Sequence, residues 1–147
     1  MKVEIPAELN AYFSEKDFSK YPIIQIPQSF RDDRGSILNL ADGQLGDVSF
    51  ITSSAGAVRA NHVHEKDWHL CYLISGVIKY VWKESLSSQV IQQIEVAPGE
   101  LIFTPPGAPH KMEFPEFSQF VTVSKLSRLS DLYESDISRF SGMNFEP

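Results

Sequence analysis

Three of the four histidines in this 147-residue chain lie within eight residues, at His62, His64 and His69, and the fourth is His110. Alternate side chains of an extended strand share a face, so His62 and His64 form a pincer while Val63 points the other way. His69 opens the next apolar run after residues 65–68, where a hairpin-like return is expected to bring its ring opposite the pincer. His110 follows Pro105-Pro-Gly-Ala-Pro109, a rigid turn expected to aim a fourth imidazole into the same interior. Four neutral imidazoles suit one divalent transition-metal ion, whether Zn, Fe, Ni, Cu or Mn, better than Ca or Mg, which prefer oxygen ligands. The alternative is a set of hydrogen-bonded core histidines that need no metal.

Three further residues are candidates for substrate contact. Arg59, three residues before the pincer, can clamp a phosphate or carboxylate through two parallel hydrogen bonds, or it can be a solvated strand end. Cys71 shares strand parity with His69 and faces the interior near the site, where a small buried hydrophobe is the simpler reading than a nucleophile. Tyr80 belongs to the strand after Gly76, where the turn breaks the parity count. The Lys66-Asp67 pair reads as an exposed loop, and Asp33-Arg34-Gly35 as a turn.

The elements that must position these groups read as β throughout. Short strand patterns recur at residues 36–40, 47–52, 58–64, 69–75, 77–83, 90–96, 100–104, 110–114 and 118–125, with glycine and proline between many of them. Residues 21–27, bounded by Pro22 and Pro27, suit an edge strand. Leu9, Tyr12 and Phe13 predict a short amphipathic helix within residues 6–18, and residues 130–140 predict a terminal helix with Ser130 as its N-cap. Leu70, Tyr72 and Ile74 are left on an outer face too apolar for water, which predicts cover by a second sheet or by a partner in a homodimer.

Composition sets the outer limits. Hydrophobic content of 42% with 12% aromatic residues fits a single globular domain with one core. A net charge of -6 opposes binding to nucleic acid or to an anionic membrane surface. The lone Cys71 excludes an intrachain disulfide, and the Met-Lys-Val-Glu-Ile-Pro start lacks a signal peptide's apolar stretch, so the expected location is cytoplasmic. No apolar run approaches the ~18 residues of a membrane span.

The two glycine-punctuated segments resemble the two motifs of the cupin superfamily. In the first, glycine, His-x-His, glutamate and glycine map onto Gly56, His62, His64, His69 and Gly76, with His69 standing where the pattern has glutamate. In the second, glycine, Pro-x-Gly and histidine map onto Gly99, Pro105, Gly107 and His110, with Phe114 in place of a final asparagine. The resemblance implies one all-β cupin domain over residues 1–147, a conical antiparallel β-barrel or jelly roll with short terminal helices. Its motifs would lie near 56–76 and 99–114, with a metal near one mouth. Losing the glutamate would leave the ion's full charge on the site, which favours an anionic substrate oxygen.

A finer likeness lies in Asp33-Arg-Gly-Ser-Ile-Leu-Asn-Leu40, Arg59-Ala-Asn-His-Val-His64 and Phe103-Thr-Pro-Pro-Gly-Ala-Pro-His110. These phrases are similar to the small cupins of nucleotide-sugar metabolism, the deoxysugar epimerases and ketoisomerases of surface polysaccharides. That epimerase group works without a metal, using a histidine base and a tyrosine acid, and spacing alone assigns no tyrosine here to the acid role. The resulting expectation is a metal-dependent isomerase or epimerase whose partner is a small molecule, a sugar or nucleotide sugar. A small metal-dependent dioxygenase and a non-catalytic binding or sensing cupin are the alternatives.

Overall fold

The structure, a computed structural model, describes residues 3–129 and 131–141. The first half of the chain forms β1 (Ile23–Ile24), β2 (Ser29–Asp32), β3 (Gly35–Leu38), β4 (Asp47–Ser53), β5 (Val58–His64) and β6 (His69–Ser75). The second half adds β7 (Ile78–Trp82), β8 (Gln92–Val96), β9 (Leu101–Thr104), β10 (His110–Glu113), β11 (Ser118–Ser124), helix α1 (Asp131–Ser135) and β12 (Ile137–Arg139). The expected β5 and β6 form with their predicted bounds, and β3, β4 and β7 to β11 differ by a residue or two at their ends. The edge strand expected over 21–27 shrinks to the two residues of β1, and β2 and β12 arise where no strand was expected.

Two five-stranded sheets, in the orders β1-β9-β6-β11-β4 and β12-β5-β10-β7-β8, build the cupin-like jelly roll, with β2–β3 as a separate hairpin. Neighbouring strands pair antiparallel throughout. The expected turn at residues 33–34 closes that hairpin, with the Arg34 N–H donating to Asp32 Oδ1 at 2.9 Å. Between the sheets, Cys71 and Leu73 from β6, with Phe120 from the adjacent β11, share one core with Tyr80, Trp82 and Met112 of the facing sheet. Each large apolar side chain taken out of water there contributes roughly 1.5–3 kcal/mol before its ordering cost.

A second core lies on the outer face of the β6 sheet. Leu70 and Tyr72 are covered there by Leu9, Phe13 and Phe18 from the chain's own N-terminal segment, together with Trp68 and Phe103. The cover expected from a second sheet or a partner is therefore supplied in cis for two of the three outward residues, while Ile74 stays 44% exposed. That segment is not the continuous helix predicted for residues 6–18. It runs as turns over 7–12 and then a 3-10 helix, Glu15–Phe18. Ser14 is extended at the break, its N–H and hydroxyl both donating to Asp17 Oδ2 at 2.8 Å, which restarts the chain in a new direction.

The C-terminal tail departs from prediction in the same way. The helix stops at Ser135, and the next residues add β12 to the open edge of β5, pairing Ile137 with His64 and Arg139 with His62. Asp136 makes the switch: its carboxylate accepts the N–H groups of Lys66 at 2.8 Å and Asp67 at 2.9 Å, which anchors the chain outside a helical path. The predicted cap at Ser130 lies outside the described residues. No helix among the described residues is long and apolar enough to cross a membrane.

Candidate functional site

The histidines are aimed by an irregularity that strand parity does not foresee. Ala60 and Asn61 in β5 both adopt left-handed backbone, with φ of 61° and 58°. Non-glycine residues rarely accept that region without a surrounding structure that enforces it. The register against β10 shifts at this point, so that His110 pairs with His62 while Lys111 pairs with Ala60. The turn before His110 is tied to the same strand, because the Gly107 N–H donates to the His64 carbonyl at 2.7 Å.

The outcome is a cluster. Ring centroids of His62 and His64 lie 4.5 Å apart, those of His62 and His110 4.9 Å, and those of His64 and His110 5.5 Å. One nitrogen from each of these three rings falls within 4.8 Å of the other two. Burial, with the neighbouring His110 ring, pushes the His62 pKa down to about 2. Burial also lowers His64, and brings His110 down to about 4 against the opposing pull of the Ala108 carbonyl. All three are therefore neutral at physiological pH, the state in which imidazole binds metal.

Two features fit an ion. His64 is 1% exposed, yet neither of its ring nitrogens has a hydrogen-bond partner. A buried polar group left so costs about 1–3 kcal/mol, which a bound cation would offset. His110 Nδ1 donates to the Ala108 carbonyl at 2.9 Å, so its Nε2 lone pair remains free, the arrangement usual for a metal-ligating histidine.

His69 arrives differently from the prediction. β5 and β6 belong to opposite sheets, so residues 65–68 cross between sheets instead of closing a hairpin. The His69 ring comes within 4.4 Å of His64, centroid to centroid, and its Nε2 lies 2.9 Å from Asp67 Oδ2. Asp67, expected on an exposed loop, is wholly buried, because its other oxygen accepts the N–H groups of Lys125 and Leu126, each at 3.0 Å. A turn linking two sheets needs such an acceptor for backbone donors that neither sheet can serve.

A pocket of about 170 Å³ opens beside the cluster, lined by His62, His69, His110, Arg59, Arg128 and Tyr133 among others. Arg59 is exposed at its rim, with Nε donating to Ser53 Oγ at 2.6 Å and Nη2 to the Thr52 carbonyl at 2.8 Å. It is thus an oriented cation at the opening. Arg128 lies 5.2 Å over the Tyr133 ring, donates to its hydroxyl at 3.3 Å, and is itself fixed by Asp47 at 2.9 Å. Cys71 and Tyr80 do not line the pocket. The Cys71 thiol is packed in the core, where burial pushes its pKa up. Tyr80, wholly buried, hydrogen-bonds Thr104 at 2.8 Å and stands behind His110 with ring centroids 6.2 Å apart.

Asp67, Arg128, Tyr133 and Asp136 were not among the residues singled out from sequence. Asp67 carried a local signal, since it shares strand parity with His69 two residues on. Tyr133 and Asp136 come from a tail whose helix-like period concealed its approach to the histidines, and Arg128 from the turn between β11 and that tail.

A model of the cupin domain family matches residues 49–123, spanning both histidine segments. No curated protein matches. Among solved structures, the dTDP-4-dehydrorhamnose 3,5-epimerase from Sulfolobus tokodaii is similar with a TM-score of 0.63 at 18% identity, over 82% of this chain and 77% of that one. The sugar 3,4-ketoisomerase QdtA from Thermoanaerobacterium thermosaccharolyticum, in complex with TDP, gives 0.64 at 18% identity over 86% and 93%. The capsular polysaccharide assembling protein CapF from Staphylococcus aureus gives 0.59 at 20% identity over 83% of this chain but only 35% of its own length. At such identities the likeness shows the fold, and with the family match over more than half of its length this chain belongs to the cupin family.

Proposed function

We propose that this cupin is an isomerase or epimerase of a sugar derivative, most naturally a nucleotide sugar, using one divalent transition-metal ion held by the clustered histidines. The observation that carries the reading is the convergence, in one small pocket, of neutral imidazoles, an oriented cation at the rim and a tyrosine hydroxyl. The sugar epimerase and ketoisomerase among its fold neighbours support it. Bound there, a divalent ion polarises a carbonyl oxygen and so acidifies the adjacent C–H.

The residues of the chain supply the rest. The pocket is smaller than the ~300–1,000 Å³ typical of ligand sites, so it admits a ring-sized part of the substrate and leaves the remainder at the mouth. Arg59 there suits the anionic portion, and the Tyr133 hydroxyl is a donor to a sugar oxygen. An imidazole nitrogen of the pocket that does not hold the ion takes the carbon proton. For epimerisation a proton returns to the same carbon from a donor on the opposite face; for isomerisation it is delivered to the former carbonyl carbon while the adjacent hydroxyl proton moves to the old carbonyl oxygen. A cytoplasmic homodimer completes the proposal.

A second reading needs no metal. Tyr133 stands 6.1 Å from His64 and 6.3 Å from His69, ring centroid to ring centroid, which suits a tyrosine acid beside a histidine base. Solvent deuterium exchange at the carbon next to the carbonyl, across a nucleotide-sugar panel, separates the two. The metal reading expects exchange that disappears when the ion is stripped and returns on reloading. Exchange that persists without metal favours the second reading; oxygen uptake, or binding without exchange, would remove both.

A further inference from the structure

His69 stands apart from the other histidines. Two nitrogens bound to one ion at about 2.0–2.1 Å are at most about 4.2 Å from each other. His62, His64 and His110 form one group with nitrogens within 4.8 Å, whereas His69 joins only His64 and Asp67 in a separate group. Asp67 accounts for this. Its carboxylate is locked by the Lys125 and Leu126 N–H groups, each at 3.0 Å, and its other oxygen holds His69 Nε2 at 2.9 Å. With Asp67 acting as an acceptor on both oxygens, the proton of that contact sits on Nε2 and the lone pair is left on Nδ1. The ring itself forms part of the pocket wall beside His62 and His110.

We infer that His69 is a substrate-facing imidazole and not a fourth metal ligand, its Nδ1 accepting a hydrogen bond from a hydroxyl of the bound sugar derivative and Asp67 acting as its positioning residue. The inference rests on the metal-and-sugar reading of this pocket and deepens it. Three protein ligands leave the ion positions open to the pocket, as catalytic sites require, whereas four would tend to close it. Where the superfamily pattern has a ligating glutamate, this chain would then present a hydrogen-bonding group to its ligand.

The test uses the full chain loaded with zinc. Nitrogen NMR of the rings should show three metal-shifted imidazoles and a fourth, His69, with its proton on Nε2; adding thymidine diphosphate glucose should move His69 Nδ1. Chelator competition should give His69→Gln and Asp67→Asn the metal affinity of the parent, while His62→Ala and His110→Ala lose it. Asp67→Asn should also scramble the His69 tautomer, which a purely structural aspartate would not do. Four metal-shifted rings overturn the inference, as does an affinity loss of about 10–100-fold in Asp67→Asn, the loss expected if Asp67 supported a ligating histidine. A wild-type protein that takes up no zinc overturns the three-ligand centre, and thymidine diphosphate glucose binding that leaves His69 unmoved overturns its contact role. None of these readouts depends on turnover, so failure of the exchange experiment above is a separate result.

Discussion

Asp136 Oδ2 stands 3.8 Å from His64 Nδ1 while accepting the Asp67 N–H at 2.9 Å. One carboxylate from the C-terminal tail thus faces the centre of the histidine cluster and also fixes the loop that carries Asp67. Its second oxygen holds the Lys66 N–H at 2.8 Å.

Removing that carboxylate should destabilise the fold through the donors it strands. Asp136→Ala leaves the Lys66 and Asp67 N–H groups without their acceptor, at a cost of about 1–3 kcal/mol for each that stays buried. Asp136→Asn, which keeps one acceptor oxygen, should cost less. Urea unfolding of the metal-free protein measures both, and an alanine variant as stable as the parent would mean that water replaces the carboxylate.

Acid should weaken the metal-free protein through its histidines. Folded His62 and His110 have pKa values of about 2 and about 4, against 6.5 for the unfolded ring. Above pH 6.5 both states are neutral and these groups contribute nothing to the pH dependence. Below it the unfolded chain takes up protons that the folded chain refuses, so stability falls by up to about 1.4 kcal/mol per pH unit for each such histidine. The loss attributable to His110 ends near pH 4, and that of His62 continues towards pH 2. Unfolding at pH 7.5 and pH 5 should show the drop, and His110→Gln should reduce it.

Gly76 should not tolerate a side chain. Its φ is +92°, and a Cβ there would come 2.2 Å from Ser118 Oγ and 2.6 Å from the Phe117 carbonyl oxygen. Ser118 Oγ is already engaged, accepting the Val77 N–H at 3.1 Å, so it has little freedom to retreat. Gly76→Ala should cost more than the roughly 1 kcal/mol of a left-handed backbone alone. A thermal midpoint equal to the parent's would contradict this.

What the sequence made legible follows from range. Strand parity is local, and it placed Cys71 inward, Leu70 and Tyr72 outward, and His62 beside His64. Glycine and proline spacing likewise brought His110 to the pincer. The Ala60–Asn61 bulge, the buried Asp67 and the tail that delivers Tyr133 and Asp136 depend on partners far along the chain. A tail of five helical residues followed by three extended ones also carries the apolar spacing of one longer helix. The apolar outer face of β6 was read correctly as needing cover, but a pattern of apolar residues does not say whose side chains provide it.

The homodimer now rests on another strand. β4 is an edge strand whose outward Val48 and Phe50 are 63% and 60% exposed, and Phe50 pairs with Val121, which continues that face towards Tyr72. An apolar edge of this kind is suited to pairing with a second copy. Sedimentation at micromolar concentration should give a dimer for the parent and a monomer for Phe50→Glu. A monomeric parent would sink the expectation.

Tyr133 separates the two chemical readings most directly. If metal polarisation carries the reaction, the Tyr133 hydroxyl only orients a sugar oxygen, and Tyr133→Phe should lower the exchange rate by about tenfold, the loss of one hydrogen bond of about 1.4 kcal/mol. If Tyr133 is the proton donor, the loss should approach the ~10²–10⁴-fold expected for a general acid. Burial raises the Tyr133 pKa, which keeps the hydroxyl protonated under either reading, so pH alone does not separate them. Arg128→Lys serves as the companion variant. It keeps a positive charge near the ring but loses the planar fork that holds Asp47 and the tyrosine hydroxyl together. The expected result is a small rate loss in Tyr133→Phe and a comparable one in Arg128→Lys, measured by deuterium incorporation with the metal present. A thousandfold loss confined to Tyr133→Phe would transfer the proton step to the tyrosine.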